Sequence, residues 1–446
     1  MRHIYLDNYR GFKNTIFPIL DVNFLVGENS TGKTSALTTF GMLGTRSLLL
    51  GSQSLAALEM LAPAVPPGYF PELVSAHSSE KGYFRLGTAS DVRPHHKAKP
   101  YVGGVLATFR ELDGTAFISQ LTCTSNGQEI SLEVKDDIVS FKKSAADRVD
   151  TPTSVHDTLA RWAGQHADPG RGGWKHVKPP PGADPKQVPL LFLLSLTNIP
   201  ASGEPKDGIA MSFPDLGPNL IFIAPIRTKP QPIYDEPQMP FSPEGQHTPY
   251  VIRRMLGSAK EASRFHEFVD RIGNVSGLFE RVDIKYFNEA KAGPFEVDAY
   301  IDGEALKLSW VGYGVSQSLP ILVELLFREK GSWFAIQQPE VHLHPRAQAS
   351  LGDAFFEMAM TDQKRFLVET HSDFIIDRFR MNYRAKRNAK SRKAIPTSQV
   401  LFFEREDKRN KVTSIPINEK GELSPDQPDS YRRFFIKEDV RLLGTR

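Results

Sequence analysis

The chain has 446 residues, 40% of them hydrophobic, and a single cysteine, Cys123. That is enough for two or three domains around a sizeable core, and it excludes an intramolecular disulfide and a cysteine-based zinc cluster. With 55 basic against 52 acidic side chains the formal charge is only +3, so any affinity for nucleic acid must come from local clustering and not from the whole-molecule field. Cys123 reads as inert core in a reducing compartment. No apolar run reaches signal-peptide or membrane-spanning length, which predicts a cytoplasmic protein without a membrane partner.

In chain order, Ile4, Leu6 and Ile16–Ile19 read as short strands around a bend at Arg10-Gly11-Phe12. Val22–Val26 follows as an apolar run of buried-strand type. A glycine-containing loop comes next, and Ser35–Phe40 opens a helical segment free of proline until Pro63. From Gly82 to Phe141 short alternating segments separated by Asp113-Gly114 and Asn126-Gly127 predict an antiparallel sheet of hairpins. The stretch Asp168–Pro185 holds Gly170, Gly172, Gly173, Pro179, Pro180 and Pro181, so no regular element is expected through it. Alternation returns at Val282–Leu308, with turns at Ala292-Gly293-Pro294 and Asp302-Gly303, and Ser318–Glu329 has helical character. The expected organisation is four consecutive segments: 1–145, the first part of an α/β head with an antiparallel lobe; 146–215, a helical and Pro/Gly-rich insertion; 216–380, the second part of the head; and 381–446, a basic segment with a C-terminal extension.

The loop Gly27-Glu28-Asn29-Ser30-Thr31-Gly32-Lys33-Thr34 satisfies the phosphate-binding pattern G-x-x-x-x-G-K-[ST] between a strand and a helix, the context that makes the pattern specific. Its glycines let backbone N–H groups converge on phosphate oxygens at a helix N-terminus. Gly27, Asn29, Ser30, Thr31, Gly32, Lys33, Thr34 and Ser35 are therefore candidate ATP-binding residues, with Lys33 reaching the β- and γ-phosphates and the Thr34 hydroxyl ligating Mg2+.

Trp333–Ile336 is a second buried-strand run, ending in Gln337-Gln338-Pro339-Glu340-Val341-His342-Leu343-His344-Pro345. This resembles the Walker B region of ABC-type ATPases, which implies a magnesium role at Gln337 and a water-polarising role at Gln338. Both positions are amides here, where the resemblance expects carboxylates. An amide oxygen can orient water or a hydrated ion, so ATP binding is compatible with this pair while fast hydrolysis is not. Glu340, the nearest carboxylate, is the candidate catalytic base; its other reading is a structural glutamate bonding a neighbouring amide. His342 and His344 lack an obvious third ligand and suit a turn better than a zinc site.

Gly312-Tyr313-Gly314-Val315-Ser316-Gln317 resembles the signature segment of the same ATPases, implying that Gly314, Ser316 and Gln317 contact the γ-phosphate held by a second subunit. Thr370-His371 after the apolar strand Phe366–Val368 resembles the switch-histidine loop, with His371 bonding that phosphate. The Q-loop glutamine of such enzymes has three candidates, Gln53, Gln120 and Gln246.

Arg378, Arg380, Arg384, Lys386, Arg387, Lys390, Arg392 and Lys393 form the dense basic cluster, with Phe379 and Tyr383 interleaved. It suits nucleic acid, or alternatively a solvated helix end where cations complement the dipole.

Together with Leu6–Phe12 and Phe222–Arg227, these segments resemble compact prokaryotic ABC-type ATPases related to SMC and OLD proteins, and among them the ATPase subunits of antiphage defence systems such as Septu and PARIS. The resemblance implies a nucleotide-sandwich homodimer or higher oligomer using ATP and Mg2+, acting as sensor or scaffold for a separate nuclease or toxin effector. It covers little of 150–215. Neither an Asp-x-Asp nuclease pair nor heptads for a coiled-coil arm occur in the sequence. A nucleotide-locked scaffold without turnover and a DNA-repair ATPase are the alternative readings.

Overall fold

The computed structural model describes residues 2–44, 69–93, 99–135, 138–165, 173–177, 190–197, 220–235, 239–288, 293–387 and 395–434. The strands, in chain order, are β1 (Arg2–Asp7), β2 (Thr15–Ile19), β3 (Val22–Gly27), β4 (Phe84–Val92), β5 (Tyr101–Leu112), β6 (Thr115–Ser125), β7 (Gln128–Lys135), β8 (Ile138–Ala145) and β9 (Lys175–Val177). They continue with β10 (Leu220–Ile223), β11 (Arg281–Tyr286), β12 (Phe295–Ile301), β13 (Glu304–Lys307), β14 (Trp333–Gln337), β15 (Arg365–Glu369), β16 (Ser398–Glu406) and β17 (Arg409–Ile417).

The chain packs as two compact units that interleave in sequence. Met1–Leu20, Glu28–Leu220 and Phe403–Ser414 form the first; Asp21–Gly27, Ile221–Phe402 and Ile415–Arg446 form the second. β3 pairs with β15, far along the chain, which draws Asp21–Gly27 into the second unit.

The first unit is built on an eight-stranded sheet in the order β2-β1-β4-β5-β6-β7-β8-β9. Its hairpins turn where the sequence predicts: Asp113 and Gly114 have φ of 49° and 78°, Asn126 and Gly127 49° and 73°, the left-handed values that two-residue hairpin loops need. The helix Ser154–Gly164 lays Val155, Leu159 and Trp162, spaced along one helical face, on Tyr5, Ala89, Val102 and Leu106 of β1, β4 and β5. Arg161 of that helix is held by the carboxylates of Glu129 (2.5 and 3.2 Å) and Asp147 (2.9 and 3.1 Å), and Trp162 Nε1 also donates to Glu129 at 2.8 Å. Burial pushes the Cys123 thiol, in β6, up to about 12, so it is inert at neutral pH. One expectation is corrected: a strand, β9, lies inside the Gly/Pro-rich stretch. Gly173, at φ 92°, turns the chain onto the edge of β8, and Pro179, Pro180 and Pro181 follow after β9 ends. Most of that stretch, like Gln53 and Pro63, lies outside the described residues.

The second sheet has six strands in the order β10-β14-β15-β3-β16-β17, of which β14, β15 and β3, all in the second unit, run parallel. A tight turn at Asp407-Lys408 makes β16 and β17 a hairpin, so the sheet is mixed. Fully buried Phe24, Phe334, Phe366, Phe355 and Phe379 form its core, with ring centroids of 5.1 Å for Phe24–Phe379 and 5.2 Å for Phe355–Phe366. The antiparallel trio β11-β12-β13 turns at Asp302-Gly303, as expected. The signature segment opens the helix Tyr313–Phe327, and Gln337-to-Pro345 bridges β14 to the helix Pro345–Thr361. A mixed central sheet, an antiparallel β lobe and a strand, glycine loop and helix in succession make this an α/β fold of the ABC-type P-loop class. Among the described residues no helix is long and apolar enough to cross a membrane.

Candidate nucleotide site

The glycine loop follows β3 and opens the helix Lys33–Gly44, so its amides face the positive end of a twelve-residue helix. Gly27, Ser30 and Gly32 have φ of 149°, 63° and 96°, the alternation that turns successive N–H groups toward one concavity. The Lys33 ammonium donates to the Glu28 carbonyl at 2.8 Å, and the Thr31 hydroxyl to the same oxygen at 2.8 Å, spanning the loop from within. Asn29, Ser30 and Thr34 are exposed on it. Ser35 is buried and takes a 3.0 Å hydrogen bond from Arg10, at the bend marked in the sequence. Gly32 could carry no side chain: a Cβ would stand 2.5 Å from Phe12 and 2.6 Å from Asn410.

In the second unit the other candidates gather at the carboxyl edge of the parallel strands, where ligands bind in α/β sheets. Gln337 ends β14, buried, and its amide donates to Glu369 Oε2 at 3.2 Å; Glu369 is its register partner at the end of β15. Gln338 turns out of the strand at φ 41° with its N–H on the Glu369 carbonyl at 2.8 Å. Glu369 in turn pairs with Leu25 of β3, two residues before the loop begins.

Glu340 accepts from the Thr370 hydroxyl at 2.8 Å and the His371 backbone N–H at 2.7 Å. Burial raises its pKa above the usual carboxylate range, and those two hydrogen bonds partly offset the rise. Those two bonds tie Glu340 to the loop that carries His371. The His371 ring stacks on Phe434, centroids 6.4 Å apart, and the next residue, Ser372, donates to Gln348 at 2.6 Å.

The signature residues divide. Gly314 stays near the surface beside Tyr313, which is exposed, while Ser316 turns inward to donate to the Tyr313 carbonyl at 3.0 Å. Gln317, read as a phosphate contact, has a buried side chain that accepts the Arg227 N–H and donates to the Arg227 carbonyl, each at 3.1 Å. The physical reason is that Arg227 is buried within an irregular segment after β10, where its backbone groups need partners, and a glutamine amide supplies both.

Arg227 and Glu369 are the residues that sequence reasoning missed as site groups. The Arg227 guanidinium is 3% exposed, donates to the Gln337 carbonyl at 3.1 Å, and has Nε and Nη1 without a hydrogen-bond partner among the described residues. Burial lowers its pKa to about 10, and Glu340 opposes that shift. Pro225-Ile226-Arg227 after a strand and Glu369 before Thr370-His371 were the available signals.

Hard oxygen donors of the kind Mg2+ takes occur in each unit considered by itself: the Thr34 hydroxyl in the first, and the Gln337 amide beside the Glu369 carboxylate in the second. His342 and His344 do not form a metal site: His344 caps the helix Pro345–Thr361 by accepting the Arg346 N–H, and His342 lies beside the Tyr313 ring. Among the described residues no three metal-ligating side chains cluster. Gln120 is spent on Glu133 across β6 and β7 at 2.9 Å, whereas Gln246 lines a cavity of about 180 Å³ with Lys229, Thr248 and Ser316.

The basic segment is less free than its composition implies. Arg378 pairs with Asp353 at 3.0 Å, and Arg380 with Asp377 at 2.6 Å and the Gly421 carbonyl at 2.9 Å. Phe379 and Tyr383, read as interleaved aromatics, are core residues packed on Phe356, because they fall on the inner face of the helix Asp373–Arg387. Arg384 is exposed; Lys390, Arg392 and Lys393 lie outside the described residues.

A family profile described as an AAA ATPase domain matches residues 246–376, a stretch holding the signature, Gln337–Glu340 and His371 but not the glycine loop. Among solved structures, the SMC head bound to the C-winged helix domain of ScpA is similar at TM-score 0.43 and 14% identity, covering 94% of this chain and 98% of that one. The Pyrococcus furiosus SMC head with an extended coiled coil, bound to the C-terminal domain of ScpA, gives 0.38 and 10% over 99% and 100%. The SMC head domain from Thermotoga maritima gives 0.36 and 10% over 93% and 98%. No curated protein matches the chain.

Proposed function

We propose that this protein is an ATP- and Mg2+-binding ATPase of ABC type with slow turnover, in which nucleotide occupancy sets the state of a homodimer. The observation that carries the reading is the phosphate-binding loop itself: a buried strand, left-handed backbone at Gly27, Ser30 and Gly32, and a helix opening at Lys33. ATP, when bound, supplies the energy-rich phosphoanhydride; the loop amides and Lys33 hold its phosphates, and Thr34 orients the ion. Slow turnover follows from chemistry on the page. Gln337 and Gln338 cannot accept a proton at neutral pH, and they stand where the resemblance expects carboxylates.

His371, fastened through Glu340, reports the γ-phosphate, and Gly314 at the start of the helix Tyr313–Phe327 presents that helix end to a second copy. In the wider setting the dimer acts as sensor or scaffold in prokaryotic antiphage defence, releasing or restraining a separate nuclease or toxin, with Arg384 and the basic segment beyond it contacting nucleic acid. The resemblance of the motifs supports this setting; fold alone does not.

Light scattering with and without Mg2+ and ATP tests the core reading, with a doubling of mass expected for wild type and none for Lys33→Ala. An unchanged mass in wild type would remove the dimer switch. A second reading, the nucleotide-locked scaffold without turnover, is favoured by the two amides; it predicts equal, negligible phosphate release from wild type and Glu340→Gln.

A further inference from the structure

We propose that the cavity of about 180 Å³ in the second unit is a binding site for a small single-ring carboxylate, with Lys229 and Thr248 as its polar contacts. Every lining residue lies between Thr228 and Pro320, inside that unit, and none comes from the glycine loop. The walls are the segment 228–234 after β10, the opening turn of the helix Thr248–Leu256, and Ser316, Leu319 and Pro320 of the helix Tyr313–Phe327.

The entry into the first of these helices sets Thr248 on the wall. Gly245 turns at φ 80° and sits so close that a Cβ there would stand 2.8 Å from Pro320 and 3.2 Å from the Thr248 hydroxyl. The Thr248 N–H bonds the Gly245 carbonyl at 3.0 Å, and the N–H groups of Tyr250 and Val251 bond the His247 carbonyl at 3.0 and 3.2 Å. With those amides paired, recognition falls to side chains. Thr248 is 3% exposed, and its hydroxyl has no hydrogen-bond partner among the described residues. A buried unpaired hydroxyl costs folding free energy, so a partner is owed to it. Threonine in a helix divides between two side-chain rotamers, and the hydroxyl can turn to meet an occupant.

The other lining groups set the ligand's chemistry. Lys229, exposed, is the one ionised group among them and no carboxylate stands there, which selects an anion. The rings of Pro230, Pro249 and Pro320, with those of Tyr234 and Tyr250, give flat walls of little internal freedom, which select a planar body. Tyr234 is fixed by two 2.9 Å backbone bonds with Phe295, and its ring centroid lies 5.5 Å from that of Phe295 and 5.9 Å from that of Tyr250. Its hydroxyl accepts the Gln231 N–H at 3.0 Å, and burial pushes its pKa up to about 12, so it keeps a proton to donate. In size the cavity exceeds the roughly 150 Å³ that takes one benzene ring and falls short of the about 300 Å³ at which drug-sized pockets begin. An occupant would bear on Ser316, Leu319 and Pro320, in the helix that the signature segment opens.

The probe is para-fluorobenzoate, titrated into the full chain without nucleotide and followed by ligand-observed fluorine NMR, with para-fluorobenzylamine as a cation of similar shape. Wild type is expected to bind the carboxylate saturably and about tenfold or more tighter than the amine. Lys229→Gln should erase that preference. Thr248→Val keeps the branched shape and removes the hydroxyl; it should weaken carboxylate binding about tenfold while melting at or above the wild-type temperature. A hydroxyl that served the fold would not give that combination. No saturable binding of the carboxylate by wild type, or equal affinity for carboxylate and amine, overturns the inference. So does wild-type affinity in Thr248→Val, or a melting temperature of that variant below wild type. An undiminished preference for the carboxylate in Lys229→Gln, a change at an exposed position, overturns it as well.

Discussion

The carboxylate of Glu340 receives the backbone N–H of His371 at 2.7 Å, and with its second oxygen the hydroxyl of Thr370. A side chain marked as a proton acceptor by its place after Gln338 is thereby a fastening for the loop that carries the proposed phosphate sensor. Glu340→Ala leaves a half-buried amide and hydroxyl unpaired and should cost about 1–3 kcal/mol in urea unfolding, with Glu340→Gln losing less. Both variants should keep ATP affinity within a few-fold while losing nucleotide-dependent dimerisation. Loss of ATP affinity equal to that of Lys33→Ala would assign Glu340 to binding instead.

His3, in β1, is held neutral: burial, with His156 adding, lowers its pKa from 6.5 to about 4. The unfolded chain binds the proton more readily, so the contribution is complete above about pH 6.5 and is lost as pH falls through about 4. Across that window it amounts to roughly 3 kcal/mol. Urea midpoints measured from pH 4 to 7 should fall on acidification in wild type and fall less in His3→Gln. Parallel curves would mean that His3 is not the group responsible.

Gly32→Ala forces a side chain into a left-handed residue, φ 96°, and against Phe12 and Asn410. Strain and overlap together should lower stability by at least about 1 kcal/mol and abolish ATP binding. Ser30→Gly, which relieves a positive φ of 63°, should leave binding intact. Wild-type affinity in Gly32→Ala would show that the loop is not used in this conformation.

Within the basic segment, Arg378 and Arg380 are committed to Asp353 and Asp377. Alanine at either should leave DNA affinity unchanged and lower stability slightly, whereas Arg384→Ala should weaken DNA binding and reduce the salt slope by about one. Fluorescence anisotropy over a salt series distinguishes the two; equal effects at all three positions would restore the whole cluster as the interface.

Much of this molecule was legible in its sequence because the signals were local. The glycine loop, the Asp113-Gly114 and Asn126-Gly127 hairpins and the apolar runs of β3, β14 and β15 each follow from neighbouring residues. The candidate site was legible by residue and not by orientation. Gln317 turns inward because Arg227, ninety residues away, needs both its backbone groups paired. Glu369 meets Gln337 through a strand register that no single segment encodes. Phe379 and Tyr383 sat among cations in sequence, yet helical periodicity sends them to the core. β9 was missed because edge pairing with β8 outweighed the glycines and prolines around it.

The most direct test of the central claim is calorimetric titration of the full-length protein with Mg2+·ATP, for wild type and Lys33→Ala. Saturable binding by wild type, weakened about tenfold or more in Lys33→Ala, is predicted, since Lys33 is the loop's charged contact to the phosphates. No binding by wild type, or equal affinity in both proteins, would contradict it.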